Sequence, residues 1–269
     1  MEHKILVTIS KKIEKKLQRK ERRYETDQLM KEKRSEEYEV LEEVFDRPTL
    51  MTLYSFLNRG ILKEIHGVVG AGKESRIYRG VNPEGEDLAI KIYLTISAEF
   101  RRGMLTYIHG DPRFKNVKRS TRSMIYLWAQ KEFKNLHRAY HSNVSVPKPI
   151  HVEKNILLMG FIGDNGTPAP LLKDKIPKKP YSMYKTLLSN IKTLYQKAHL
   201  VHSDISEYNV MVYHEEPVIF DFSQAVALEH PMSTEFLRRD INNLNRFFKK
   251  LNTRTRKADN IYKWVTKDD

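Results

Sequence analysis

The run PVIFDFSQ, residues 217–224, sets an acid, Asp221, directly after the apolar triplet Val218, Ile219 and Phe220. A carboxylate at the end of a buried strand is costly unless an opposite charge or a cation meets it. Just upstream, LVHSDISEYN, residues 200–209, holds His202, Asp204 and Asn209 between two apolar runs that both read as core. The turn residues in NVMVY-HEE-PVIFDF make the second part a hairpin. Any fold this chain adopts must therefore bring several oxygen-bearing side chains together at one edge of its core.

Asp204 and Asn209 lie five apart in a short loop, and Asp221 closes the second strand of the hairpin, facing the same cleft. Two carboxylates and an amide oxygen form a hard, all-oxygen set that suits magnesium bound to phosphates. Asp204 is free to accept a proton from an incoming hydroxyl. Phosphoryl transfer requires this division of labour, because positioning and charge neutralisation carry most of its catalysis. His202 reads as a residue that orients the loop through hydrogen bonds.

Further upstream, GVVGAGKESRIY places Gly70 and Gly72 in a strand-to-strand turn. Backbone there can approach phosphates because no Cβ intervenes, although a plain hairpin turn explains the glycines equally well. LAIK ends an apolar strand with Lys91, and Glu132 interrupts the apolar stripe Ile125, Trp128, Leu136 and Ala139. A lone ammonium and a lone carboxylate are each expensive to bury, and pairing resolves both. Such a pair aimed at the α- and β-phosphates is a part of phosphotransferase sites. Met159 and GFIG are mainly core, yet their extended backbone offers a C=O and an N–H to an adenine edge.

Along the chain, DRPTLMTLYSFLNRG reads as a helix with Pro48 in its first turn and Gly60 as its stop. Strands follow at ILKEIHGVV, SRIYRGV and DLAIKIYL, then a helix over about 121–140, then strands at IHVEK and ILLMGFIG. A helix carrying Met183, Leu187, Ile191 and Leu194, the loop and hairpin, and a final helix around EFLRRDINNLNRFFKKL complete the order. This is a mostly β lobe, a link near 160–166, and a mostly α lobe, whose cleft is a natural ligand site. The domain limits are a charged helical extension at 1–58, a first lobe at 59–162 and a second at 163–269.

Charge adds a possible partner class. Of 269 residues 48 are basic and 34 acidic, a net +14. Residues 11–23 hold eight basic and two acidic side chains, and residues 101–122 hold seven and one, so each run carries +6. The second run lacks a sustained period and reads as a basic flexible loop over about 97–120. Both runs are explicable as solvated surface, or as contacts to a polyanion such as RNA, whose phosphates reward clustered Lys and Arg. The chain has no cysteine, which excludes a disulfide framework, a thiol nucleophile and zinc–thiolate sites. The start, MEHKILVTIS, is too short and too charged for a signal peptide, and ILLMGFIG cannot span a bilayer, so the expectation is a cytoplasmic protein with no membrane partner.

Several runs together resemble the RIO atypical protein kinases, and specifically the first RIO subfamily in its archaeal form. They are GVVGAGKESRIYRG, LAIKIY, GDPRF, WAQKEFKNL, VPKPI, LVHSDISEYN, IFDFSQAVALEHP and LRRDINNLNRFF, collinear over about 59–251. The resemblance implies an α+β fold: a trimmed two-lobe protein kinase with an antiparallel N-lobe sheet plus helix, a mostly helical C-lobe and extra N-terminal helices. It implies a serine protein kinase with ATPase activity, ATP with Mg2+ or Mn2+, and a role in maturing the small ribosomal subunit, with the pre-ribosomal particle and its rRNA as partners. By motif position Lys91 and Glu132 anchor phosphates, Asp204 is the base, and Asn209 and Asp221 are metal ligands. Gly70, Gly72, Lys73, Glu74 and Ser75 form the phosphate loop, and Met159, Gly160 and Ile162 the adenine-binding link. Ser75 stands where ordinary kinases have a third glycine.

Two other classes compete: a small-molecule phosphotransferase of the aminoglycoside type, and a non-catalytic RNA-binding scaffold. The first shares the H-x-D-x-x-x-x-N spacing but pairs it with acidic patches for cationic substrates, whereas this chain has basic runs. The second leaves the joint presence of Lys91, Glu132, Asp204, Asn209 and Asp221 without a purpose. Only 48 residues follow Asp221, with no A-P-E motif, and Ser203 replaces the Arg that pairs with a phosphorylated activation segment in many kinases. The expectation is a site assembled without such phosphorylation.

Overall fold

The computed structural model describes residues 45–94, 98–111 and 120–267. The chain divides into two units, Met1–Phe56 and Leu57–Asp269. Helix α1 (Arg47–Asn58) starts where Asp46 accepts a hydrogen bond from the Thr49 N–H at 3.1 Å. That is the usual way a helix start satisfies an orphan amide. Gly60 follows with φ +66°, a left-handed conformation that stops the helix at little cost.

The second unit opens with a five-stranded antiparallel sheet. Its strands are β1 (Glu64–Ala71), β2 (Ser75–Val81), β3 (Asp87–Tyr93), β4 (Pro149–Glu153) and β5 (Ile156–Gly160), in the order β1-β2-β3-β5-β4. The β2–β3 turn uses Gly85 at φ +84°, and the Asn82 side-chain oxygen accepts from the Glu86 N–H at 2.7 Å. Central strand β3 is buried on both faces, as suits a strand covered from both sides. Its register sets Lys91 between Ile77 of β2 and Leu157 of β5.

Helix α2 (Ala98–Ile108) and helix α3 (Thr121–His141) follow β3 in sequence. Ser120 caps α3, its hydroxyl accepting from the Ser123 N–H. All five residues of the expected α3 stripe are buried, Glu132 among them. Helix α2 corrects the expectation of a loop over about 97–120. Met104 and Ile108, one turn apart, pack with Tyr93, Met124 and Trp128 in one apolar cluster, and Tyr107 lies against it. Interleaved charges hid this helical spacing. Residues 112–119, like the basic run 11–23, lie outside the described residues.

Beyond β5 come the small hairpin β6 (Gly163–Asp164) and β7 (Thr167–Pro168), then helix α4 (Pro180–Gln196), whose Met183, Leu187, Ile191 and Leu194 are buried. Strand β8 (Leu200–Val201), the hairpin β9 (Val210–Tyr213) and β10 (Glu216–Ile219), and β11 (Val226–Ala227) follow. Because Val201 pairs with Val226 and Leu200 with Ala227, the chain from 202 to 225 is closed at its base. Helix α5 (Ser233–Lys250) is not the last helix as expected. Helix α6 (Ala258–Thr266) follows, too short to announce itself, and is held by fully buried Ile261 and Val265. Among the described residues no helix is long and apolar enough to cross a membrane.

Met104→Ala tests the packing of α2. Removing this buried side chain should cost about 2–5 kcal/mol of unfolding free energy in urea titrations. A change within about 0.5 kcal/mol, as for a solvated surface position, would show that α2 does not pack there.

Candidate active site

Strand β3 delivers Lys91 to the interior, where only 4% of it is exposed. Its Nζ donates to Glu132 Oε1 on α3 at 2.8 Å and to Asp221 Oδ1, just past β10, at 3.0 Å. The second Glu132 oxygen accepts from the Tyr93 hydroxyl. Burial pushes the ammonium toward deprotonation, but the charges of Asp221 and Glu132 outweigh it and hold Lys91 above its ordinary pKa. Burial raises the Glu132 carboxyl, with Lys91 opposing. Burial also acts to raise Asp221, yet Lys91 and the Ser223 hydroxyl, which donates to Oδ1 at 2.7 Å, bring it down to about 2. The expected Lys91–Glu132 pair thus forms, and Asp221 makes it a triad.

Asp204 and Asn209 stand together on the β8–β9 loop. Asn209 Nδ2 donates to the Asp204 backbone carbonyl and to Asp204 Oδ2, both at 2.8 Å. Among the described residues the Asn209 amide oxygen has no hydrogen-bond donor of its own. Burial and the charge of Asp221 raise the Asp204 carboxyl, the direction that suits a base near neutral pH. His202 is buried, and its Nε2 lies 3.0 Å from the Phe220 carbonyl. It therefore ties the Asp204 loop to the residue before Asp221.

The phosphate-loop candidates form the β1–β2 turn. Gly72 N–H donates to the Ser75 carbonyl at 2.9 Å, and Gly70 faces Ile77 across the strands. Lys73 is exposed. Glu74 is exposed at its surface, and partial burial of its carboxyl, followed by the charge of Asp221, raises it to about 7. At the link, Met159 is buried opposite Ala89, and Gly160 N–H donates to the Lys148 carbonyl at 2.8 Å. The Ile162 carbonyl accepts from the Ala169 N–H at 2.9 Å.

Four contributors escaped the sequence reading. Asp240, buried on α5, accepts from the Ser203 N–H at 2.8 Å and the Ile205 N–H at 2.9 Å, and Arg239 donates to the Ser203 carbonyl. These bonds hold Ser203 at φ +70° and so shape the turn around Asp204. Lys131, fully buried on α3, donates from Nζ to the Ser223 carbonyl at 2.7 Å and the Ala225 carbonyl at 2.6 Å. Asn135, one turn on, donates to the Phe222 and Ala225 carbonyls. Helix α3 therefore grips the segment carrying Asp221 as well as Lys91. The available signal was a polar residue within an apolar stripe, Asp240 among Phe236, Leu237, Ile241 and Leu244.

Asp204, Asn209 and Asp221 carry hard oxygen donors close to a buried ammonium, a chemistry that suits a phosphate-bearing ligand with a hard cation. A RIO-domain family profile matches residues 76–261. The chain belongs to the RIO family of atypical serine/threonine protein kinases. The RIO-type serine/threonine-protein kinase Rio1 of Methanocaldococcus jannaschii is 38% identical to it over 247 residues, covering 91% of this chain and 84% of that protein. Rio1 of Haloferax volcanii is 35% identical over 240 residues, covering 89% and 82%. The serine/threonine-protein kinase rio1 of Schizosaccharomyces pombe is 39% identical over 233 residues, and there this chain spans only 46% of the relative's length. Among solved structures, the Rio2 kinase of Chaetomium thermophilum in an ADP/Mg2+-phosphoaspartate complex matches with a TM-score of 0.61 at 23% identity, covering 82% of this chain and 67% of that one. The RIO chain thus has the trimmed two-lobe kinase-like fold, and its relatives are of the Rio1 type.

Burial lowers His202 to about 4 from an ordinary 6.5. The unfolded chain then binds the extra proton between those values, so this residue's contribution is complete above about pH 6.5 and is lost as pH falls toward 4. At about 1.4 kcal/mol per pKa unit, the loss is about 3 kcal/mol. Asp240, raised to about 7 by burial, slopes the opposite way, so the difference between wild type and His202→Asn isolates the histidine. The stability gap between the two should shrink on going from pH 7 to pH 4 in urea titrations. A gap independent of pH would mean that His202 is not buried in its neutral form.

Proposed function

We propose that this RIO chain is an ATP-dependent serine protein kinase with ATPase turnover, acting in the maturation of the small ribosomal subunit. The observation that carries the chemistry is the Lys91 ammonium bonded to both Glu132 and Asp221, with Asp204 and Asn209 on the neighbouring loop. In this reading Lys91 neutralises the α- and β-phosphates, and the turn of Gly70, Gly72, Lys73, Glu74 and Ser75 closes over the triphosphate. Met159, Gly160 and Ile162 border the adenine. Asp204 takes the proton of the attacking serine hydroxyl as its oxygen bonds to the γ-phosphorus. The bond from that phosphorus to the β-phosphate oxygen breaks, and ADP departs.

Magnesium or manganese fits the donor set. Asn209 presents its amide oxygen, and Asp221 Oδ2 makes no hydrogen bond among the described residues. No group of three or more His, Cys, Asp or Glu able to hold a metal occurs among the described residues, so phosphate oxygens would complete the coordination, as is usual for magnesium. The ion, when bound, neutralises phosphate charge.

Asp204→Asn keeps the shape of the loop and removes the proton acceptor. Phosphotransfer should fall by ~10²–10⁴ while ATP affinity stays within a few-fold. Undiminished turnover would remove Asp204 from the role of base.

For the ATPase activity, an acyl phosphate on Asp221 is the favoured route. The Rio2 kinase of Chaetomium thermophilum has been seen as a phosphoaspartate complex, and the Asp221 carboxyl here is held ionised with one oxygen open. Its oxygen would attack the γ-phosphorus, ADP would leave, and water would then split the acyl phosphate. Label from γ-labelled ATP should be released from the protein by hydroxylamine, and label that resists it entirely would exclude this route.

The ribosomal partner is supported by the runs 11–23 and 101–122 at +6 each. Changing Arg113, Lys115, Lys118 and Arg119 to Glu should weaken binding to small-subunit precursor particles and flatten its salt dependence, with ATP binding intact. Binding as tight as wild type at low salt would show the segment to be only solvated. ATP turnover measured with and without such particles separates this reading from a small-molecule phosphotransferase and from a scaffold.

A further inference from the structure

A third basic run lies where neither of the others does. Residues 246–257, RFFKKLNTRTRK, hold six basic side chains and no acidic one, another +6. The two runs noted from sequence therefore do not account for the charge by themselves. Subtracting all three from +14 leaves −4 on the remaining residues. All six basic side chains of the third run are exposed.

The fold gathers four of them. Arg246 and Lys249 on α5, and Arg256 and Lys257 just before α6, line one open cavity of about 340 Å³ with Asn242 and Asn245. No salt bridge engages any of the four among the described residues. The acid in the first turn of α6, Asp259, is taken by Arg238 at 2.9 Å. Arg256 does lie over the Trp264 ring, 5.6 Å from its centroid, which leaves its charge unneutralised. Like charges around one cavity repel and weaken the folded state, a cost that a bound anion relieves.

The backbone of this rim is held from below. The Tyr184 hydroxyl donates to Asn245 Oδ1 at 2.6 Å, Asn245 Nδ2 donates to the Arg256 carbonyl at 3.0 Å, and the Arg256 N–H donates to the Tyr184 oxygen at 3.1 Å. This closed ring ties the segment before α6 to α4 and α5. The cations are therefore presented from an ordered frame, which lowers the entropy lost when an anion binds.

We propose that the cavity between α5 and α6, lined by Arg246, Lys249, Arg256 and Lys257, is a phosphate-binding site for an RNA backbone. Clustered cations without acids suit a repeated phosphodiester. None of the exposed large hydrophobic side chains lies between 242 and 258, so nothing there inserts into a bilayer. The only apolar residue lining the cavity is Ala258, which leaves nothing to recognise the side chains of a phosphopeptide. These residues are distinct from those on which the ribosomal partner rests, so either assignment can fail alone.

The test uses the full chain, a short fluorescent single-stranded RNA and anisotropy titrations over a range of salt. The variant Arg246→Gln, Lys249→Gln, Arg256→Gln, Lys257→Gln should bind RNA at least about tenfold more weakly at low salt. Its plot of log affinity against log salt should flatten by about 0.7 for each phosphate that the protein no longer neutralises. ATP turnover without RNA should stay at the wild-type rate, and the melting temperature should not fall. Arg246→Gln with Lys249→Gln alone should give an intermediate slope, which keeps the test decisive if the fourfold variant is unstable. A wild-type slope in both variants overturns the proposal. So does displacement of RNA by inorganic phosphate beyond its effect on ionic strength, which would mark a small-anion site. Tighter wild-type binding to a phosphoserine peptide or to phosphatidylserine vesicles than to RNA overturns it as well.

Discussion

A buried ammonium organises this molecule. Lys91 sits in the middle of the most enclosed strand of the sheet, where an unpaired charge would be prohibitive. Two carboxylates answer it, Glu132 from helix α3 and Asp221 from the far side of the β9–β10 hairpin. Removing Glu132, the fully buried partner, typically costs about 3–5 kcal/mol in such a pair, because the charge left behind stays buried. The triad therefore stabilises one arrangement of three elements far apart in sequence, and that arrangement is also the one that presents Asp221 to a ligand.

Helix α3 reinforces the same geometry through Lys131 and Asn135, which hold the carbonyls of Phe222, Ser223 and Ala225. A second buried ammonium thus donates to backbone carbonyls, and its Nζ also lies 4.8 Å from the Trp128 ring centroid. Asp221 itself adopts φ +62°, a left-handed conformation that Asp tolerates better than most residues. With the residues after Asp221 gripped by α3, and Phe220 before it held by His202 and the Asn209 carbonyl, the segment has little freedom to swing its carboxylate elsewhere. On the other wall, Asp240 and Arg239 fix the Ser203–Ile205 turn, so Asp204 is positioned by α5 and not by an activation segment.

Much of the site was legible in the chain because its residues violate their local surroundings. Lys91, Glu132 and Asp221 are charges in apolar runs, and the spacing of Asp204 and Asn209 is short enough to survive any fold of that loop. The same logic extended to Asp240, set among Phe236, Leu237, Ile241 and Leu244, would have found it, whereas Lys131 stands beside Gln130 and Glu132 and passes as solvated. Helix α2 was missed for the converse reason, since Met104 and Ile108 are diluted by flanking charge. Helix α6 is too short for periodicity to show.

The sequence by itself determined most of the longer elements, α2 excepted, since strand and helix periodicity depend on neighbours a few residues apart. It also determined that Lys91 must find an opposite charge, because buried charges demand partners. Only the tertiary structure decided who those partners are: that Lys91 bridges two acids, that Lys131 and Asn135 cap the Asp221 turn, and that Asp240 shapes the Asp204 loop. It also decided that Arg246, Lys249, Arg256 and Lys257 share one cavity. Such interactions join residues from different elements, and their energies depend on distance and desolvation in space, which no one-dimensional spacing encodes.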